Sequence, residues 1–109
     1  AIKRANEYFA AGADCFYPVG VLEHETVKTL RKEINYPINI LGSVKSVPLK
    51  TLREIGINRV SFGPFIFRSL MKKFSDIADE LKAFGNYDSF GKNMFSYDDM
   101  HSFLKNDPE

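Results

Sequence analysis

Leu52-Arg53-Glu54-Ile55-Gly56-Ile57-Asn58-Arg59-Val60-Ser61-Phe62-Gly63-Pro64 is the stretch that decides the fold class. Leu49, Leu52 and Ile55 fall on one helical face, and Gly56 follows as a C-terminal stop. Arg59 to Phe62 is a short β-prone run, closed by Gly63-Pro64. The same order of helix, break, strand and glycine recurs upstream. Val27, Leu30 and Ile34 share a helical face, Asn35-Tyr36-Pro37 interrupts it, and Ile38-Asn39-Ile40-Leu41 runs into Gly42-Ser43. Before that, Ile2, Ala5 and Phe9 make a stripe that Gly12 stops, and Cys15-Phe16-Tyr17 leads towards Gly20. Ser46 reads as the N-cap of the third helix, with Pro48 in its first turn, where no backbone donor is needed.

Helices alternating with short strands imply βαβ units and a parallel sheet, so the fold class is α/β. Strands are expected near residues 14–18, 38–41 and 59–62. They are apolar without strict alternation, as in a sheet covered on both faces. This pattern is shared by a barrel segment and by an open doubly wound sheet.

Downstream the character changes. Phe67, Leu70, Phe74, Ile77, Leu81 and Phe84 form one long apolar stripe, with Gly85 as its stop. A polar link with scattered aromatics covers residues 86–93. Ser96 and Asp99 resemble a capping box, and Phe95 with Met100 a hydrophobic staple, for a last helix over 97–105. The expected division is therefore 1–85 for the βα units and 86–109 for a linker and helix.

The 109 residues suffice for one core. A net charge of +1 leaves no field to attract nucleic acid or an anionic membrane. No apolar run approaches the roughly 20 residues of a transmembrane helix. Cys15 is the single cysteine, which fits a reducing compartment, and a cytoplasmic setting is the expectation. Ala1 opens directly into helical sequence, which reads as a chain cut inside a larger protein; methionine removal before a small residue is the alternative.

Three stretches resemble the isocitrate lyase / phosphoenolpyruvate mutase superfamily. Arg4-Ala5-Asn6-Glu7-Tyr8 through Ala11-Gly12-Ala13-Asp14-Cys15 resembles its helix 5 to strand 6 segment. Pro37-Ile38-Asn39-Ile40-Leu41 is similar to its strand 7, and the stretch from Leu52 to Pro64 to strand 8 and the turn beyond. Asn86-Tyr87-Asp88 resembles the tail that follows the eighth helix. The resemblance implies strands 6–8 of a (β/α)₈ TIM barrel. It also implies Mg²⁺-dependent formation or cleavage of C–C or P–C bonds in small 2-oxo acids or phosphonates. The family's Mg²⁺ carboxylates, its mobile loop and its strand-5 arginine belong to the N-terminal half, so catalytic residues and metal ligands are expected outside this chain. Homo-oligomers exchanging the eighth helix are implied too.

Barrel active sites lie at the C-terminal ends of the strands. That places Val19, Gly42, Ser43, Gly63 and Pro64 towards a substrate. Val19 departs from the family: its lyases tend to carry glutamate here and the mutase a histidine, whereas Tyr17-Pro18-Val19 has no ionisable group. Mutase-like paralogues, often apolar here, are the better match. Backbone donors at Gly42-Ser43 and Gly63-Pro64 suit an anion, although tight-turn geometry alone also explains these glycines. A phosphate-binding barrel of another family and a non-catalytic assembly fragment are the competing readings.

Other chemistry-bearing residues have plain explanations. Cys15 reads as a buried inert thiol and His24, between Glu23 and Glu25, as exposed. His101 with Asp98 and Asp99 reads as a capped, solvated helix. Asp76, Asp79 and Glu80 lie opposite the apolar stripe. Arg68, a turn beyond the third strand as a family arginine often is, reads as a structural ion-pair partner, with approach to a substrate carboxylate as the alternative.

Overall fold

The computed structural model describes residues 1–21, 23–91 and 93–105. Its elements are α1 (Ile2–Ala10), α2 (His24–Glu33), β1 (Asn39–Leu41), α3 (Leu49–Ile55), β2 (Arg59–Ser61), α4 (Phe65–Lys82), α5 (Asp88–Gly91) and α6 (Tyr97–Lys105). The chain forms two compact units, Ala1–Ile66 and Phe67–Glu109. Their boundary falls inside α4, earlier than the division at residue 85 drawn from sequence.

In the first unit β1 and β2 pair in parallel, with Asn39 opposite Arg59, Ile40 opposite Val60 and Leu41 opposite Ser61. The expected first strand is reduced to one parallel bridge, Phe16 to Ile38. Phe16 N–H donates to Pro37 O and Asn39 N–H to Phe16 O, both at 2.9 Å. The ladder cannot continue through Pro18, which has no N–H to give.

One face of this sheet is the core. Phe16, Ile38 and Ile40 pack with Ala5, Val27, Leu30, Ile34, Val47 and Leu52, and Val60 joins them partly buried. The three helical stripes read from sequence therefore face the sheet, although Leu49 remains 57% exposed. Each fully buried aliphatic side chain contributes roughly 1.5–3 kcal/mol. Strand alternation turns Cys15 and Tyr17 away from this core, and both are exposed. Cys15 is thus not the buried thiol expected, because only Phe16 of that segment points inward.

Two devices set the connections. At the C-terminus of α3, Gly56 adopts φ +88°, and Ile57 N–H donates to Leu52 O at 3.0 Å; this is the stop expected from sequence. At the N-terminal ends of the strands, Arg31 donates to Tyr36 O at 3.0 Å and to Asn58 Oδ1 at 3.1 Å, and also to Ile34 O. Asn58 Oδ1 accepts Ile38 N–H as well. Arg31 so ties the end of α2 to both strands. Ser46 is not the helix cap it resembles in sequence: Pro48 occupies that position with no side-chain cap bond.

In the second unit, α4 ends at Lys82, before Gly85. Phe84, not the glycine, takes the left-handed conformation, with φ 52°. Gly85 is needed for close approach instead, since a Cβ there would lie 2.9 Å from Glu80 Cγ and 3.1 Å from Glu80 O. Glu80 Oε2 accepts the Ser89 N–H at 3.0 Å. Hydrogen bonding from Ser89 is the main reason its carboxyl sits below the usual range. The last helix begins as expected, with Asp99 N–H donating to Ser96 Oγ at 3.1 Å and Ser96 Oγ to Asp99 Oδ2 at 2.6 Å. Phe95 stacks on Phe103, with centroids 6.0 Å apart. None of α4, α5 or α6 buries a residue.

Phe84 pays for its backbone without packing in return, since it is 97% exposed. A left-handed L-residue costs roughly 1–2 kcal/mol, and asparagine tolerates the conformation better. Phe84→Asn is therefore expected to raise stability by about 0.5–1 kcal/mol in urea unfolding. An unchanged or lower midpoint would show that this turn is not strained.

Candidate functional site

The C-terminal ends of β1 and β2 meet through two glycines. Gly42 N–H donates to Ser61 O at 2.7 Å, extending the ladder one residue past β1. A Cβ on Gly42 would lie 2.9 Å from Phe62 Cε1 and 3.0 Å from Val60 Cγ1. Gly63, at φ +49°, faces Leu41, whose Cδ1 would stand 3.3 Å from an added Cβ. Each glycine thus makes room for a large side chain of the other strand. Gly63 and Pro64 then occupy the centre of a turn closed by Phe65 N–H to Phe62 O at 3.1 Å.

The loop after β1 is held by Ser46. Its hydroxyl donates to Leu41 O at 2.8 Å and accepts Ser43 N–H at 2.9 Å. Ser43 Oγ lies 3.0 Å from Ser46 Oγ and accepts Lys45 N–H at 3.2 Å. Because the Ser46 proton goes to Leu41, Ser43 must be the donor between the two hydroxyls. Ser43 is left with one lone pair and no free proton. Ser46 N–H is taken by Ser43 O at 3.1 Å. The amides of Gly42 and Ser43, read from sequence as donors suited to an anion, are thus engaged in shaping the loop, as are those of Lys45 and Ser46.

Val19 is 74% exposed. It borders a cleft of about 360 Å³ that is also lined by Arg4, Tyr8, Phe16, Tyr17 and Pro18. Gly42, Ser43, Gly63 and Pro64 do not line that cleft. The structure therefore brings the two glycine turns together and sets Val19 beside α1.

Sequence reading did not single out Asn39. Among the described residues it is the buried polar side chain, 2% exposed. Its Nδ2 donates to Ser61 Oγ at 2.9 Å and its Oδ1 accepts from Arg59 Nη1 at 3.3 Å. The signal was present: an amide between Ile38 and Ile40 alternates onto the face opposite the helices.

The remaining candidates fall into place individually. His24 Nδ1 lies 3.0 Å from Glu25 Oε1, and the ring is partly rather than fully exposed. Arg68 is exposed on α4. Lys72 and Asp76 pair on the same helix. Among the described residues no three His, Cys, Asp or Glu side chains come together as a metal site. No helix of the described residues is long and apolar enough to cross a membrane.

The geometry predicts how the two loops respond to substitution. Gly42→Ala forces its methyl into Phe62 and Val60 and is expected to cost about 1–3 kcal/mol. Ser46→Ala leaves the Leu41 carbonyl and Ser43 N–H unpaired and is expected to cost roughly 1–2 kcal/mol. Chemical denaturation measures both; a neutral Gly42→Ala would mean that the strand ends are not packed as described.

Residues 1–82 match the family model of phosphoenolpyruvate phosphomutase. No curated protein matches the chain. Two crystal structures from Burkholderia cenocepacia are similar to it. One, provisionally assigned as a lyase/mutase, shares 23% identity over 99% of this chain with a TM-score of 0.81. The other, provisionally assigned as a phosphonomutase, shares 28% identity over 72% of this chain with a TM-score of 0.69. The chain spans 39% and 32% of their lengths. With the family matched over most of its residues, and a parallel α/β unit whose strand ends are in place, this chain belongs to the phosphoenolpyruvate phosphomutase family of the isocitrate lyase / phosphoenolpyruvate mutase superfamily.

Proposed function

We propose that this chain is the C-terminal segment, strands 6–8, of a (β/α)₈ enzyme that makes or breaks C–C or P–C bonds in small 2-oxo acids or phosphonates. The family match over residues 1–82 carries this reading. The partial cover of both crystal relatives supports the view that further barrel units complete the enzyme. In this reading the Phe16 bridge segment, β1 and β2 are the three barrel strands. Val19, Gly42, Ser43, Gly63 and Pro64 stand at their substrate-side ends. The Mg²⁺ ligands and acid–base groups lie outside this chain. The chain's own part is to supply a packed wall and a shaped rim. Ser43 engages substrate as a donor only when its proton leaves Ser46, so substrate binding remodels that loop.

The same reading proposes a cytoplasmic homo-oligomer joined through the C-terminal helices. Phe67, Leu70 and Phe74 on α4 are 64–67% exposed, and Phe103 and Leu104 on α6 are 65% and 72% exposed. Apolar surface of this extent on α4 and α6 favours association.

The test joins this chain to the rest of its barrel and assays a panel of 2-oxo acids, hydroxy acids and phosphonates with Mg²⁺. Turnover is expected from the completed barrel and none from the 109-residue chain alone. Turnover by the chain alone would overturn the assignment of the catalytic groups. Light scattering checks assembly: the chain is expected to be oligomeric, with Phe74→Asp dissociating it and Asp79→Ala having little effect. A clean monomer at tens of micromolar would contradict the proposed interface.

A further inference from the structure

We infer that Arg59 is a positioning residue that fixes the orientation of the Asn39 amide and, through it, leaves the Ser61 hydroxyl free to donate. The geometry stands without the functional reading above; only the identity of the group that Ser61 meets rests on it.

Asn39 is 2% exposed and must satisfy an amide oxygen and an NH₂ group without water. A serine hydroxyl can either give or take a proton, so Ser61 alone accepts the amide in either of its two flipped orientations. Arg59 removes this degeneracy. A guanidinium donates only, so the atom 3.3 Å from Arg59 Nη1 must be the oxygen of Asn39. The NH₂ group then faces Ser61 Oγ at 2.9 Å. Ser61 accepts that bond, and its own proton is left over.

The register gives the chain of donors a direction. Arg59 stands opposite Asn39, and Ser61 lies two residues further on, opposite Leu41. Donation therefore runs from Arg59 to Asn39 to Ser61, towards the strand ends where Gly42 and Gly63 pack. Successive bonds in one direction polarise each other. The leftover Ser61 proton suits an acceptor-only group, such as a carboxylate or the carbonyl oxygen of a 2-oxo acid. Arg59 itself meets no such group; it acts through Asn39.

The test is NMR of the side-chain NH₂ resonances of the chain, with Asn35, exposed on the surface, as an internal control. In the native protein the Asn39 NH₂ protons are expected to exchange with solvent more slowly than those of Asn35. Arg59→Met is expected to speed that exchange about five- to tenfold and to shift the resonances, because the oxygen loses its partner. Arg59→Lys, also a donor only, is expected to restore most of the protection. Backbone amides of Ile40 and Val60 report that the sheet persists in each variant. Should Arg59→Met unfold the chain, Ser61→Ala decides: with Arg59 present the Asn39 resonances are expected to remain a single set. Native-like exchange in a folded Arg59→Met, or a second set of Asn39 resonances in Ser61→Ala, would overturn the inference. Neither outcome depends on turnover, so a barrel that fails to show activity leaves this test unaffected.

Discussion

The first unit depends on the parallel pairing of β1 with β2. Parallel strands cannot be joined by a tight turn, so the chain must leave the sheet, cover it and return. Everything between Leu41 and Arg59 serves that return. Ser46 shapes the exit, α3 brings Leu52 into the core, and Gly56 turns the chain back. Arg31 fastens the lower end by holding Tyr36 and Asn58 together. The two glycines at the upper end let the strands approach until Phe62 and Leu41 fill the gap. A methyl group at Gly42 would disturb this pairing directly, whereas changes on the outer helix faces would not.

The two faces of the sheet divide the labour. Phe16, Ile38, Ile40 and Val60 give the hydrophobic face its grip on α2 and α3. Asn39, Arg59 and Ser61 occupy the other face and form a hydrogen-bonded row. Burying an amide costs free energy unless every polar atom finds a partner. This row meets that condition at the oxygen and one N–H of Asn39 while leaving a hydroxyl proton unclaimed. Apolar packing is thus concentrated on one side of the sheet and the polar row on the other.

Much of this was legible in the sequence. Glycine after an apolar stripe gave Gly12 and Gly56 as stops, and the stripes themselves gave Val27, Leu30, Ile34 and Leu52 as core. The family resemblance was readable from strands 38–41 and 59–62. Three features were not. Ser46 looks like a cap because spacing alone cannot show that its hydroxyl is already spent on Leu41 and Ser43. Cys15 looked buried because an apolar run of three conceals the alternation that sends only Phe16 inward. The left-handed residue before Gly85 was missed because glycine is the usual occupant, and the steric contact with Glu80 is visible only in three dimensions.

The central claim is that the ends of β1 and β2 form part of a substrate-facing rim. It is tested most directly by a crystal structure of the completed barrel with Mg²⁺ and oxalate, an unreactive dicarboxylate that resembles a 2-oxo acid enolate. The account predicts oxalate on the side of the sheet marked by Gly42, Ser43 and Gly63, with Ser61 Oγ within reach of the ligand or its bridging water. Oxalate bound at the opposite end, beside Tyr36 and Asn58, would contradict it.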